Sequence, residues 1–251
     1  DYERHFMSSV RRLLGYDINI NEISLPKRIV KVDNFPMGID YEKFHNSAME
    51  SQKHSVRDKS DVRKELERHY LLYPETKFIL SIDRLDYTKG IINRLEAFEY
   101  FLEHYPKYRD KVTLVLLSVP SRVGVEQYQK MKSEVDEIVG RVNGKYSSIN
   151  RTPIWYFYRS MPFENLIDLY TSSDIAWLTP IRDGMNLVAK EYIATRTDKT
   201  GVLILSEMAG SANEMNESLL INPNNFEQIA DTLYKAINMP QEEQKQRNVI
   251  L

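Results

Sequence analysis

The chain contains no cysteine, which excludes disulfides, thiolate nucleophiles and cysteine-ligated metals. That absence fits a reducing compartment, and the expected location is the cytoplasm. It also lacks any apolar run near the roughly 18 residues a membrane-spanning helix requires, so no membrane partner is expected. Neither sign of charge dominates: 34 basic and 36 acidic residues leave a formal net charge of -2, with no bulk attraction to nucleic acid or acidic lipid. Glycine is sparse, at nine residues. It forms neither the Gly-x-x-x-x-Gly-Lys-Ser/Thr phosphate loop nor Gly-x-Gly-x-x-Gly, which argues against an NTPase and a nicotinamide enzyme. His5, His45, His54, His69 and His104 are scattered, with no metal-ligand spacing, so no metal or other cofactor is expected.

What is present is an ordinary globular composition, 42% hydrophobic and 28% charged, on a chain of 251 residues. Tyr2, Phe6, Val10, Leu13 and Leu14 have helical spacing, and Gly15 stands where a C-cap would be. Ile18, Ile20 and Ile23 alternate as in a strand, Pro26-Lys27 reads as a turn, and Ile29 to Val32 as a second strand. Residues 41 to 72 read as charged and helical. Asp61 to Arg68 looks like a solvated helix face, and Asn46 to Lys59 like a polar, exposed loop. From residue 77 the pattern repeats strand, turn, helix. Short apolar runs at 78–82, 112–117, 154–158, 174–178, 201–205 and 219–221 are separated by helical periodicities. Strands buried on both faces with helices between them predict an α/β fold, a doubly wound parallel sheet of Rossmann-like type. Its ligand belongs beyond the carboxyl ends of the strands.

Three loops follow such ends. Asp83-Arg84-Leu85-Asp86-Tyr87-Thr88-Lys89-Gly90 offers two cations five positions apart. Arg84 can fork two phosphate oxygens and Lys89 supplies a compact charge. Pro120-Ser121-Arg122 brings another cation. Ile181-Arg182-Asp183-Gly184-Met185-Asn186 leads into a helix, where backbone N–H groups from Gly184 to Leu187 would lack intrahelical partners and suit an anion. Seven residues separate Asp183 from Glu191, about two turns if both lay on one helix. Cations and amides for a diphosphate, with carboxylates for sugar hydroxyls, describe a nucleotide-sugar pocket. In isolation Arg84 and Asp86 read first as salt-bridging charges, with each other or with surface groups, and Lys190 as a helix-surface or helix-packing lysine.

Four segments carry a resemblance. Phe35-Pro36-Met37-Gly38-Ile39-Asp40, Arg84-Leu85-Asp86-Tyr87-Thr88-Lys89-Gly90, Arg141-Val142-Asn143-Gly144-Lys145-Tyr146 and Arg182-Asp183-Gly184-Met185-Asn186-Leu187-Val188-Ala189-Lys190-Glu191 resemble the trehalose-6-phosphate synthase family, retaining glycosyltransferases of two-domain GT-B architecture. The resemblance implies glucosyl transfer from UDP-glucose to glucose 6-phosphate without a metal. It implies that Arg84 and Lys89 hold the diphosphate and stabilise the leaving group. Asp183 would bind donor-sugar hydroxyls, the stretch Gly184, Met185, Asn186, Leu187 and Val188 would meet diphosphate and sugar, and Glu191 would accept from the ribose. Arg159-Ser160-Met161 falls where the family holds uracil, and Arg122 where it grips the acceptor phosphate. The family commonly has Asp two residues after that arginine, where this chain has Gly124.

By the same resemblance residues 1–35 are expected to be the tail of an acceptor domain, 36–76 a connection with helices, and 77–251 the donor domain of a GT-B enzyme. The abrupt helical start predicts a fragment, with a glycine-rich domain upstream and a final helix running past Leu251. The isolated chain is then expected to bind donor weakly and not turn over. Two other readings stay open, a sugar-phosphate transferase with another acceptor or nucleotide donor, and a non-catalytic regulatory module. Homo-oligomerisation is also left open.

Overall fold

The computed structural model describes residues 2–53 and 59–251. The chain divides between Gly38 and Ile39 into two compact units. In the first, helix α1 (Tyr2–Leu14) accompanies an antiparallel meander of β1 (Asp17–Asn19), β2 (Glu22–Leu25) and β3 (Arg28–Lys31). Met7 and Val10, one helical turn apart, and Ile23 form a small core edged by Ile18, Leu25 and Val30. Ile20 departs from the expected strand. Its φ of 51° and 91% exposure place it in the reversal that lets Ile18 pair with Ile23, so the apparent alternation spans a turn.

The second unit begins with α2 (Tyr41–Lys53) and α3 (Asp61–Leu72). It then alternates β4 (Lys77–Arg84), α4 (Ile91–His104), β5 (Val112–Val119), α5 (Glu126–Tyr146), β6 (Ile154–Tyr158), α6 (Phe163–Ser172), β7 (Ile175–Leu178), α7 (Leu187–Thr195), β8 (Val202–Ser206) and β9 (Leu219–Ile221). Helices α8 (Phe226–Ile237) and α9 (Gln241–Ile250) close it. The six strands form one all-parallel sheet in the order β6-β5-β4-β7-β8-β9. Alternation along each strand divides the core in two. Ile79, Leu114, Trp177 and Ile204 join α4, α5 and α8 on one face, while Phe78, Leu80, Val115 and Leu203 join α3, α6 and α7 on the other. Each large apolar side chain so buried contributes on the order of 2 kcal/mol, which is why the runs read as continuously apolar.

The expected loose region from Asn46 to Lys59 differs. Asn46 to Lys53 completes α2, with Ala48 and Ser51 buried, and 54–58, including His54, lie outside the described residues. The large apolar contact of α2 comes earlier, from Phe44, so the stretch that buries only Ala48 and Ser51 reads as polar throughout. The Asp61 to Arg68 stretch is likewise more than a solvated face, since Leu66 is buried and Arg63 reaches Asp168 at 3.5 Å and Ser51 Oγ at 2.6 Å. Ser60 caps α3 by accepting from the Arg63 N–H. Ser51 donates to Asp168 at 2.5 Å, so α2, α3 and α6 meet at one buried carboxylate.

Candidate functional site

Strand β4 is flanked by β5 and by β7, so successive connections run away from each other on either side of it. Such a reversal opens a crevice at the carboxyl ends of the two central strands. The loops leaving β4 and β7 bound that crevice and are joined through their backbones. The Thr88 carbonyl accepts from the N–H of Ile181 at 2.8 Å and of Arg182 at 3.1 Å. Gly90 has φ 63°, and a Cβ there would stand 2.3 Å from the Thr179 carbonyl, so only glycine lets the two loops approach.

Beneath them lies Arg94, on α4 and fully buried. It donates to Asp83 at 2.8 Å, to Thr179 Oγ1 at 2.9 Å, to the Lys89 carbonyl at 3.1 Å and to Ser81 Oγ. Burial pushes the Asp83 carboxyl above the usual carboxylate range, against the pull of Arg94 and Lys89. Neither Arg94 nor Asp83 stands out in the sequence as a structural pair, because a buried ion pair and two surface charges are written alike.

On this frame the expected cations part company. Arg84 is exposed, and its side chain has no hydrogen bond or ion pair with any described residue. Lys89 is largely buried and bonds Asp183 at 2.5 Å. The Asp183 carboxylate also accepts from the Met185 N–H and from Asn186 Nδ2, each at 3.3 Å. Asn186 takes φ 69°, a region that asparagine tolerates, and its Oδ1 caps α7 by accepting from Ala189 N–H at 3.1 Å. The first-turn N–H groups of Leu187 and Val188 precede any intrahelical acceptor, and the helix adds partial positive charge there. The expected run of amides from Gly184 is therefore narrower, since the N–H of Met185 is taken by Asp183 itself.

Asp183 precedes α7, so Glu191 lies one turn into the helix, below Leu187, and not two helical turns from Asp183. It accepts from Tyr170 Oη at 2.6 Å. Lys190 pairs with Glu214 at 2.6 Å with its side chain only 17% exposed, nearer to a packing lysine than to a surface one. Asp86 accepts from Thr88 N–H, Thr88 Oγ1 and Tyr128 Oη, not from Arg84. Burial alone would raise its carboxyl, but these donors and nearby Arg122 outweigh that and hold it below the ordinary range. Arg122, at φ 47°, donates to the same Tyr128 hydroxyl at 2.9 Å.

The Arg159-Ser160-Met161 segment follows β6 at the same end of the sheet. Ser160 is exposed, and Met161 packs on the same core face as Val188. By contrast Arg141 to Tyr146 ends α5, which leads into the start of β6, and Arg141 pairs with Glu99 at 2.9 Å. That motif therefore stands at the opposite edge from the crevice.

The loop after β8 was not singled out from the sequence. Asp183 N–H donates to the Met208 carbonyl at 3.3 Å, Gly210 N–H to the Asp183 carbonyl at 2.9 Å, and Ser211 N–H to the Met185 carbonyl at 2.8 Å. A Cβ on Gly210 would fall 1.9 Å from the Gly184 carbonyl. The signal was there in Ala209-Gly210-Ser211-Ala212, a run of small residues just beyond a strand. A cavity of about 310 Å³ lies elsewhere, lined by His69, Trp155 and Phe157 among others, and contains none of the crevice cations. Among the described residues no group of three or more histidines and carboxylates is placed to hold a metal ion.

The switch-point crevice thus gathers an arginine with no side-chain partner among the described residues, a paired lysine and a helix start, and comparison with known proteins assigns its lineage. The sequence profile of glycosyltransferase family 20 matches residues 1–250. The chain belongs to glycosyltransferase family 20. A Dictyostelium discoideum protein named alpha,alpha-trehalose-phosphate synthase [UDP-forming] A is 43% identical to it over 251 residues, covering 100% of this chain and 33% of that protein. Among solved structures, a Burkholderia xenovorans alpha,alpha-trehalose-phosphate synthase (UDP-forming) in complex with glucose-6-phosphate has a TM-score of 0.87 at 30% identity, over 98% of this chain and 53% of the other. A second, from E. coli and bound with UDP-2-fluoro glucose, has a TM-score of 0.83 at 30% identity, over 93% and 50%. This member of the family spans between about a third and a half of the length of the curated relatives it matches. Its parallel α/β unit is of the Rossmann-like type found in those GT-B neighbours, of which the chain covers about half.

Proposed function

We propose that this chain supplies the nucleotide-sugar half of a UDP-forming trehalose-6-phosphate synthase, transferring glucose from UDP-glucose to glucose 6-phosphate with retention. The observation that carries the reading is the charge arrangement at the switch point. Arg84 stands unpaired at the mouth, and the Lys89–Asp183 pair stands beside the α7 N-terminus. In a donor complex that pair parts, Lys89 going to a diphosphate oxygen and Asp183 to sugar hydroxyls. The Leu187 and Val188 amides add donors to the diphosphate, Ser160 and Met161 flank the base, and Glu191 accepts from the ribose.

The bond from the anomeric carbon to the diphosphate breaks with its electrons passing to the nucleotide. The acceptor hydroxyl oxygen bonds the same carbon from the same face, and its proton passes to the departing diphosphate oxygen. Arg84 and Lys89 act where negative charge grows on the leaving group, the kind of preorganised stabilisation that commonly contributes most to a rate. Arg122 serves the acceptor phosphate, which it reaches by leaving the Tyr128 hydroxyl. The first unit belongs to the acceptor side of the enzyme, and the 251 residues alone bind donor weakly without turnover.

The test is a panel of donors and acceptors on the full-length protein, following release of nucleoside diphosphate and formation of disaccharide phosphate. UDP-glucose with glucose 6-phosphate is the expected pair. Preference for a GDP- or ADP-linked donor, or for glycerol phosphate, reassigns the substrates. Binding of donor without transfer to any acceptor favours a regulatory module.

A further inference from the structure

Tyr170 lies on α6 and is 1% exposed, yet its hydroxyl leaves the core to donate to Glu191 Oε2 at 2.6 Å. The residue is anchored at both ends. Its ring belongs to the apolar core on the α6 face of the sheet, and its carbonyl accepts from Arg196 Nη1 at 3.1 Å. The same arginine nitrogen donates to the Thr171 and Ser173 carbonyls, fixing the end of α6 against α7. A donor so held cannot follow a moving carboxylate. The carboxylate must come to it.

Glu191 itself is only half-buried, and among the described residues Tyr170 is the side chain that hydrogen-bonds its carboxylate. A free glutamate there would lose side-chain entropy on ordering and exchange among rotamers. Burial pushes the Tyr170 phenol far up, and Glu191 adds to the effect, so the hydroxyl remains a donor throughout the working pH range. An ionised carboxylate has about four acceptor positions. One is occupied by Tyr170, which leaves the rest in a set orientation on the α7 face one turn from the diphosphate amides.

We infer that Tyr170 is a positioning residue, which aims Glu191 at a vicinal pair of hydroxyls and so makes the site select ribonucleotides over their 2′-deoxy counterparts. The inference rests on the placing of the ribose at Glu191 proposed above. It adds that discrimination between the two sugars is held by a residue that touches no part of the ligand. A site that orders a charged acceptor for a hydroxyl rejects the analogue lacking it, because the carboxylate is then left partly unanswered.

The experiment is calorimetric titration of UDP and 2′-deoxy-UDP into the full-length protein and its Tyr170→Phe variant. The wild type is expected to prefer UDP by about tenfold or more, the size of one hydrogen bond to a charged group. In Tyr170→Phe the preference is expected to fall to about threefold or less, mostly through weaker UDP binding. The ratio is read within one sample, so a reduced folded fraction does not change it. A variant that keeps the wild-type ratio overturns the inference, as does a wild type that binds both nucleotides equally. A wild type that binds neither nucleotide overturns the donor-site reading, and the Tyr170 inference with it. Should Tyr170→Phe not fold, Glu191→Asp keeps the charge but loses the reach to Tyr170. It is expected to show the same fall in preference, and an undiminished ratio there overturns the proposal.

Discussion

Asp174, at the entry to β7, accepts from Tyr70 Oη at 2.7 Å, Lys77 Nζ at 2.8 Å and the Phe78 N–H at 2.9 Å, whereas Arg84, at the exit of neighbouring β4, has no side-chain partner among the described residues. The two lie at opposite edges of the same sheet. Arg196 extends the pattern of the amino edge, giving its guanidinium to the carbonyls of Tyr170, Thr171, Ser173 and Thr200. There each polar group satisfies others, and removing one orphans its neighbours. At the carboxyl edge, above the buried Asp83–Arg94 frame, Arg84 has no side-chain partner among the described residues and Lys89 is held by Asp183, the pair that the proposed reading has a ligand split. The cost of a substitution should therefore appear as lost folding at one edge and lost chemistry at the other.

The largest effect that would break or sharpen this contrast belongs to Arg84→Ala in the full-length protein. Turnover is expected to drop on the order of 100- to 1,000-fold, with unfolding free energy changed by less than about 0.5 kcal/mol. Steady-state transfer and thermal unfolding on the same sample check both halves, and near-normal turnover would remove Arg84 from the site. Next comes Asp174→Ala, which removes the acceptor of the Phe78 N–H and of Lys77 and leaves the part-buried Tyr70 hydroxyl with the Ser172 carbonyl at 3.2 Å. It should lower stability by about 2–3 kcal/mol while nucleotide affinity per folded molecule stays unchanged; denaturant unfolding alongside titration with UDP decides it. A loss of affinity without a loss of stability would erase the difference between the edges.

The smallest effect concerns His69, whose ring stands 5.2 Å from that of Phe78 near the amino edge. Burial, helped by Arg151 and opposed by Glu65, lowers the imidazole's affinity for its proton, and its Nε2 is buried without a partner among the described residues. The folded state thus prefers the neutral ring. Its contribution is complete above the unfolded value of about 6.5 and is lost as pH falls below it, ending once the folded ring also takes its proton. His69→Leu should flatten the fall in stability between about pH 6.5 and the lower folded value. Equal slopes in wild type and variant would assign that fall to other groups.

How much of this is written in the chain depends on what each residue faces. Phe78 to Ile82 and Val112 to Leu117 are legible because strands covered on both sides are apolar at every position, and β6 to β9 follow the same logic. Helix α9 is not, since Gln241 to Ile250 buries little beyond Asn248. The same weakness hid the end of α2. Arg84, Lys89 and Asp183 are legible as candidates because they stand at or near strand ends where glycine and charge coincide, whereas Glu191 lies within α7 and is reached through the motif that precedes it. Asp83, one residue before Arg84, belongs to the supporting frame, because strand alternation turns it inward to Arg94. Sequence position alone cannot separate a carboxylate that meets a ligand from one that holds an arginine. Tyr170 is hidden differently, as a core aromatic whose last atom is its useful one.

Thr88 gives one carbonyl to two amides of the opposing loop, and Arg94 ties both loops to a single guanidinium. The two walls of the crevice therefore share their hydrogen-bonding accounts and cannot open independently. Amide exchange at Ile181 and Arg182 would then report one common opening event with that of the Tyr87 to Gly90 segment. For anyone altering the crevice, the practical meaning is that residues on these two loops are coupled. A change that suits one wall must be selected together with its answer on the other.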